Sequence, residues 1–245
     1  LKFDRQMATF ELSVKTILKE LSDKHDEPAF LSYNLEYAKA LYANSLEDPP
    51  IYRMCSGVMV SPKRRKKGGG VSEEVKAALT FYKFLMAACW SLPHCLRVRS
   101  RVMRGVKWVF PSPDDHNPEE HFSEGKIIFW YEPKSTSSEA HVMYQDTFCG
   151  HHGPRTIFTV DTDGTAFDVC AFSEFGEEES EVLMPLITVL QVVDSQKLCD
   201  HKKVKDPKGG FPDAVRLKQI HVPALDIGAL LGYPVDAHSE KSAAG

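Results

Sequence analysis

Two acidic residues with one residue between them, Glu179 and Glu181, are the part of the sequence best suited to chemistry. They end a glutamate-rich run and stand directly before an apolar stretch, residues 182–190. Its short length and β-branched residues predict a buried strand, interrupted or bulged at Pro185. If Ser180 already belongs to the strand, both carboxylates point to the same face, because side chains two residues apart align. The spacing then predicts a paired-carboxylate site at the mouth of a strand.

A second candidate for chemistry is Arg104, which lies in another predicted strand. A guanidinium group stays charged and binds phosphate oxygens through two parallel hydrogen bonds. Each candidate has a simpler interpretation, since acidic runs are usually solvated turns and strand arginines often form surface ion pairs. Residue type and spacing alone do not separate these interpretations.

Three short motifs in a fixed order favour the functional interpretation. Arg104-Gly105 lies in a predicted strand, and an S-T-S tripeptide at 135–137 follows the aromatic stretch 129–131. The acidic motif at 179–185 follows Ser173-Glu174-Phe175. Together these motifs resemble those of the arginine-specific mono-ADP-ribosyltransferases, namely an Arg on a strand, S-T-S and E-x-E. The resemblance covers residues 50–195.

The resemblance implies a site that binds NAD, which is expected as the co-substrate, with no metal ion. Arg104 and Ser135 would shape the NAD pocket, with Thr136 and Ser137 in support. Gly105 would let the backbone approach the dinucleotide, because it has no side chain. Arg104 and Ser135 are also counted among the catalytic candidates.

The resemblance assigns different tasks to the two glutamates. Glu181 matches the catalytic residue that hydrogen-bonds the ribose 2′-hydroxyl and stabilises an oxocarbenium-like transition state. Glu179 matches the acid associated with arginine as acceptor, and a protonated guanidinium needs such a carboxylate because it is a poor nucleophile. Phe175 matches an aromatic residue that recognises the target. The expected partner is therefore a protein with an accessible arginine.

Some positions depart from the family pattern. Lys134 stands where a small or hydroxylated residue is usual, Met103 replaces a tyrosine, and Leu186 replaces a second proline. These departures leave open an altered affinity for NAD. Two other functions stay open as well: an NAD glycohydrolase, in which water replaces the acceptor, and an inactive module that binds NAD or a partner.

Composition limits the remaining classes. The net charge of −4 argues against a dedicated nucleic-acid binder. No apolar run approaches the ~20 residues that span a bilayer, and the N-terminus lacks the plan of a signal peptide. An intracellular location is favoured, although a secreted one remains open because the chain begins at Leu1.

The scattered cysteines predict buried thiols, and Cys149, His151 and His152 lack the paired spacing of a zinc site. The oligomeric state is left open.

The fold expected from these patterns is an α+β fold with two packed, mainly antiparallel sheets of the ADP-ribosyltransferase type and a helical N-terminal lobe. The predicted domains are the lobe at 1–48, a catalytic domain at 49–235 and a disordered tail at 236–245. A basic run at 62–70 is expected to be a mobile loop. A short helix is expected at 51–58, a longer one from Ser72 to Pro93, and another at 138–148. Strands are expected at 101–110, 125–132, 155–161, 165–173, 181–193 and 215–222, with a hairpin turn at Asp163-Gly164.

Overall fold

Helices form the N-terminal part of the structure. The computed structural model describes residues 2–60, 70–200 and 210–222, together with Leu225 and Gly232. Its helices are α1 (Lys2–His25), α2 (Leu35–Ser45), α3 (Ile51–Val60), α4 (Glu73–Trp90) and the single turn α5 (Pro118–His121).

Local sequence explains where these helices lie. The buried face of α1 contains Phe10, Val14, Leu18 and Leu21, at the spacing of an amphipathic helix. Helix α4 begins as predicted after Ser72, whose hydroxyl accepts a hydrogen bond of 3.3 Å from the amide of residue 75. After α1 the helical lobe continues with a 3₁₀ turn at Pro28–Ser32 and then with α2. Helix α3 confirms the short helix predicted at 51–58.

The strands join in one nine-stranded sheet in the order β1-β6-β7-β4-β2-β5-β9-β8-β3. All neighbouring strands in this order are antiparallel except β5 and β9. The strands are β1 (Arg97–Val98), β2 (Arg101–Val106), β3 (Ile127–Trp130), β4 (Lys134–Ser137), β5 (Thr156–Asp161), β6 (Ala166–Asp168), β7 (Glu181–Met184), β8 (Thr188–Gln196) and β9 (Asp213–Gln219).

Two hydrophobic clusters hold the fold together, and β7 contributes to both. Leu183 packs in the cluster between the N-terminal helices and the sheet, which also contains Phe30, Leu85 and Phe172. Its neighbours Val182 and Met184 pack in the second cluster, formed by strands of the curled sheet. Each such side chain contributes about 1.5–3 kcal/mol when it is fully buried. Strand β7 is therefore anchored on both faces, which fixes the position of its first residue.

The expected fold class is confirmed: a helical N-terminal region packs on a curled, mostly antiparallel sheet. The hydrogen-bonded ladder runs continuously through it, so the expected sheets are parts of one. The interruption predicted at Pro185 is also confirmed. Strand β7 ends at Met184 and pairs with β4 and β6, whereas β8 begins at Thr188 and pairs with β9 and β3.

Two predicted elements are wrong. Asp163-Gly164 makes a turn but no hairpin, because β5 pairs with β2 and β9 while β6 pairs with β1 and β7. The helix predicted at 138–148 is only a 3₁₀ turn, Ala140–Tyr144. Beyond it the amide of Cys149 donates to the carbonyl of Met143 at 3.0 Å. That bond folds the chain back under β2, so a regular helix cannot continue.

Several predictions fall outside the described residues or stay untested. Most of the basic run at 62–70 and the whole tail at 236–245 lie outside the residues that the structure describes. The domain boundaries stay predictions. The six cysteines are free thiols, of which Cys89, Cys149 and Cys199 are buried. In the described segments, no helix is both long and apolar enough to cross a membrane.

Candidate active site

Glu181 is a buried carboxylate at the beginning of β7, with only 5% of its surface exposed. It lies opposite Ser137 in the β4–β7 ladder. Burial raises the pKa of its carboxyl group, and hydrogen bonds from the side chains of Ser135 and Ser173 act against that rise. Hydroxyl donors therefore hold a carboxylate in a place where charge is poorly solvated, an arrangement suited to stabilising a positive charge that develops nearby.

Glu179 reaches the same region by a different route from the one predicted. It precedes β7 in a helical backbone conformation, and Ser180 has a φ of 44°. The strand begins only at Glu181, so the alternation that would align the two carboxylates does not apply. Two hydrogen bonds from the end of β4 hold the turn instead, Ser137 Oγ to the Glu179 carbonyl at 2.7 Å and the Ser138 amide to the Ser180 carbonyl at 3.3 Å.

The turn nevertheless brings the two carboxylates into electrostatic contact. Burial, followed by the negative charges of Glu181, Glu47 and Glu178, raises the pKa of Glu179 to about 7. Glu179 thus changes between an acceptor-only carboxylate and a neutral acid near neutral pH. A group that titrates there suits proton transfer to or from a bound molecule.

Arg104 lies on β2, and its Nη1 donates a hydrogen bond of 2.6 Å to the carbonyl oxygen of Ser135. Ser135 therefore connects the guanidinium to Glu181, through its carbonyl on one side and its side chain on the other. Burial lowers the pKa of Arg104, while the charges of Tyr52 and Glu132 act against that change. An arginine still stays protonated in proteins. The structure thus joins three residues that the motifs singled out.

The other residues of the S-T-S motif have visible structural tasks. The motif forms β4 itself, one strand away from Arg104 in the sheet. Thr136 donates its hydroxyl to the carbonyl of Val182 at 2.7 Å and so fastens β4 to β7. Ser137 holds the turn before β7, as described above. Contacts of Thr136 and Ser137 with a dinucleotide stay predictions.

Gly105 has a packing reason to lack a side chain. A Cβ atom there would lie 2.7 Å from the Cβ of Cys149 and 3.4 Å from the sulfur of Met143. The absent side chain lets residues 143–149 pack against β2. The expected close approach of a dinucleotide to Gly105 stays a prediction.

The loop before Glu179 is attached to the helical lobe. The amide of Glu174 donates to the hydroxyl of Ser45 at 2.7 Å, and the Glu174 carboxylate accepts from the amide of Glu47 at 3.2 Å. Phe175 is half-buried, and its amide donates to the hydroxyl of Ser173 at 3.3 Å. Its part in recognising a target stays a prediction.

Sequence reasoning missed two groups of the site. Ser173, which bonds Glu181, belongs to the Ser-x-Phe motif that carried the resemblance, so that motif was the available signal. Glu132 is 8% exposed and accepts hydrogen bonds from Ser56 at 2.5 Å and Lys134 at 2.9 Å. No spacing rule singles out Glu132, because its partners come from α3 and β4. In the part of the chain that the structure describes, no group of three or more His, Cys, Asp or Glu side chains is arranged to hold a metal ion.

Solved structures of ADP-ribosyltransferases share this fold. ADP-ribosyltransferase Vis, a toxin from Vibrio splendidus solved in complex with agmatine, superposes with a TM-score of 0.60 at 13% identity, covering 86% of both chains. HopU1 of Pseudomonas syringae pv. Tomato has a TM-score of 0.57 at 17% identity, covering 84% of this chain and 87% of its own. The C3 exoenzyme of Clostridium limosum has a TM-score of 0.53 at 15% identity, covering 83% of this chain and 93% of its own.

These similarities concern the three-dimensional arrangement rather than the sequence. No protein-family model matches the chain, and no curated protein sequence does so either. The fold is therefore that of the ADP-ribosyltransferases, over most of the length of both partners in each superposition. What the chain does must be argued from its own site.

Proposed function

We propose that this protein transfers ADP-ribose from NAD to arginine side chains of a protein and releases nicotinamide. The observation that carries the proposal is the connection of Arg104, Ser135 and Glu181 by hydrogen bonds, with Glu179 in electrostatic contact with Glu181. These are the side chains that the three motifs assign to the reaction. The shared fold supports the same activity class.

Glu181 would act on the sugar. Breaking the bond between nicotinamide and ribose leaves positive charge on the ribose, which a fixed carboxylate stabilises best where water is excluded. The serine donors keep the Glu181 carboxylate in one orientation, so it need not reorganise during the reaction. A hydrogen bond from the ribose 2′-hydroxyl would add to this arrangement.

Arg104 fits the phosphates of NAD. Its guanidinium donates to a backbone carbonyl here, and it keeps further N–H groups for a ligand because the group has five donors. Burial strengthens a charge-assisted hydrogen bond, since the local dielectric constant is low. The residues present therefore fit a diphosphate at one end of the site and a ribose at the other.

Glu179 would prepare the acceptor. A guanidinium attacks poorly while it is protonated, so a carboxylate must orient it and take a proton. Glu179 titrates near neutral pH, which suits that task. The structure of Vis was solved with agmatine, a small guanidino compound. In this chain Glu179 would bind a guanidino group of that kind.

Hydrolysis of NAD is the second candidate, and the pKa of Glu179 favours it under one condition. Below a pH of about 7, Glu179 is mostly protonated and no longer attracts a cationic guanidinium. Water then becomes the available acceptor. Transfer and hydrolysis are thus expected as competing outcomes of the same cleavage step.

Incubation of the purified chain with labelled NAD, with and without agmatine, tests the proposal. We expect nicotinamide release in both samples and labelled agmatine in the second. Nicotinamide without labelled agmatine would identify an NAD glycohydrolase. Neither product, together with NAD binding by calorimetry, would identify an inactive binding module and contradict the proposal.

A further inference from the structure

Glu132 is a buried carboxylate that the proposed reaction does not use. It stands between β3 and β4, directly beside the strand that contains Ser135. Although burial opposes ionisation, hydrogen bonds from Ser56 and Lys134 and the positive charges of Lys134 and Arg104 keep its pKa below the ordinary value. Glu132 therefore remains charged at neutral pH and sits among cations of the candidate site.

The partners of Glu132 join the helical lobe to the sheet. Ser56 lies on α3 and donates its hydroxyl to Glu132 at 2.5 Å. Its side chain is also hydrogen-bonded to Tyr82 of α4, which is 2% exposed. A polar connection thus runs from α4 through α3 to the start of β4.

A buried connection between charged groups contributes little to the free energy of unfolding. Removing charges from water opposes most of the attraction between them, and apolar residues of similar volume often stabilise a fold as well or better. A buried pair can instead define the position of a group that must meet a ligand. The group at the accessible end of this pair is Lys134, whose side chain is 26% exposed while that of Glu132 is 10% exposed.

The ammonium group of Lys134 and the guanidinium of Arg104 both exert their charge on Glu132. The ammonium group lies 2.9 Å from Glu132, and the next residue, Ser135, accepts the hydrogen bond of 2.6 Å from Arg104. Lys134 is the first residue of β4, and Arg104 reaches the same end of that strand from the neighbouring β2. An ammonium group has three donors, and the bond to Glu132 uses one of them.

We propose that Lys134 is a second phosphate-binding cation beside Arg104. Glu132 is the positioning residue that places its ammonium group, and Ser56 fixes Glu132 in turn. The ligand is the diphosphate of the dinucleotide, so this inference rests on the proposed function and extends it to a residue that departs from the family motif. The departure at Lys134 then changes how the dinucleotide is bound without weakening the site.

Binding of ADP-ribose, measured by calorimetry at fixed ionic strength, tests this proposal without any need for catalysis. We expect Lys134→Met and Glu132→Gln each to weaken binding by about tenfold, the usual effect of losing one charge-assisted hydrogen bond. Lys134→Arg should keep most of the affinity, because it keeps the charge. Adenosine, which has no phosphate, should bind to all variants equally.

Matched controls come from the exposed pair Glu73 and Lys76 on α4, whose charged atoms lie 3.1 Å apart. Glu73→Gln and Lys76→Met make the same charge changes in a pair that takes no part in the contacts of Glu132 and Lys134, and they should leave ADP-ribose affinity unchanged. Where NAD is cleaved, Lys134→Met should raise KM for NAD by about tenfold and leave kcat nearly unchanged.

The outcomes separate this proposal from the proposed function. Unchanged ADP-ribose affinity in Lys134→Met, or an equal loss for adenosine, would overturn the phosphate role even if the wild type cleaves NAD. A wild type that binds ADP-ribose in this pattern but does not cleave NAD would contradict only the proposed function. If Glu132→Gln does not fold, the two Lys134 variants still decide the question, since that side chain is half-buried.

Discussion

The acidic and the cationic parts of the candidate site are built in opposite ways. On the acidic side, Glu181 and Glu179 are raised in pKa by burial, and Glu181 adds to the rise at Glu179. On the cationic side, Glu132 lies among positive charges that lower its pKa. The acidic side thus places negative charges close to each other, whereas the cationic side places a negative charge among positive ones.

The difference indicates what each side would receive. Uncompensated carboxylates attract a cation, whether a guanidinium or the positive charge that develops on a ribose. Cations that a carboxylate holds in position keep further N–H donors for a phosphate. The backbone holds the acidic side in place, through β7 and the bonds from Ser137 and Ser138, so these carboxylates need no counterion to stay there.

The largest expected effect is on the acidic side, from Glu181→Gln. Loss of one fixed electrostatic contact in a transition state lowers the rate about 10²-fold or more, so nicotinamide release should nearly stop. Initial rates of nicotinamide release measure this. Glu177→Gln, at an exposed position of the same acidic run, is the control and should retain activity.

On the cationic side, Arg104→Lys should weaken NAD binding by about tenfold, because an ammonium group cannot make two parallel hydrogen bonds to phosphate. Calorimetric titration with NAD measures the change. Arg101→Lys is a matched control on the same strand, where the arginine is exposed and paired with Asp161 at 3.0 Å. Equal dissociation constants for wild type and Arg104→Lys would make Arg104 a structural residue.

The pH dependence of the products is expected to follow Glu179. Its raised pKa means that the carboxylate form is lost as pH falls through about 7. The ratio of agmatine labelling to nicotinamide release should therefore increase severalfold from pH 6 to pH 8. Measurement of both products over this range tests the prediction. A ratio independent of pH would show that Glu179 does not activate the acceptor.

The free energy of unfolding should show that the buried, ionised Glu181 carboxylate destabilises the folded state. The pKa of Glu181 is higher in the folded state than in the unfolded state. Its contribution to the free energy of unfolding is therefore fully present below the unfolded pKa of about 4.3, and it is lost as pH rises through the folded-state pKa. Glu181→Gln does not titrate and should melt at a higher temperature than wild type at pH 8, by a few degrees. The difference should shrink toward pH 5, and a lower melting temperature at pH 8 would mean that the charge stabilises the fold.

The smallest expected effect concerns the attachment of the acidic loop to the helical lobe. Ser45→Ala removes the hydroxyl that accepts the Glu174 amide, and one hydrogen bond contributes about 0.5–1.5 kcal/mol. KM for agmatine should rise severalfold, while nicotinamide release in water stays unchanged. Ser32→Ala, an exposed serine of the lobe that bonds a local carbonyl, is the control.

Periodic patterns predicted the parts of the fold that depend on local chemistry. The apolar spacing in α1 and the cap at Ser72 specify helices without reference to distant residues. The false hairpin at Asp163-Gly164 shows the limit of such signals. Its turn is local, with the Thr165 amide bonded to Asp163 at 2.9 Å, but the pairing of the flanking strands depends on residues far along the chain.

The same limit applies to the candidate site. Arg104, Ser135 and Glu181, which the motif order singled out, are connected by hydrogen bonds and lie on strands of the same sheet, while their roles in a reaction stay predictions. The conformation of Ser180 was not predictable, because contacts from β4 hold that turn. Glu132 was missed for a similar reason, since its partner Ser56 comes from a helix 76 residues earlier.

The division of labour between the two glutamates is tested most directly by measuring nicotinamide release and agmatine labelling on one preparation of Glu179→Gln. The variant is expected to lose labelling of agmatine and still release nicotinamide in water, because cleavage depends on Glu181 and only acceptor activation depends on Glu179. Parallel loss of both activities would show that the glutamates act together in cleavage. Retention of both would contradict arginine as the acceptor that Glu179 selects.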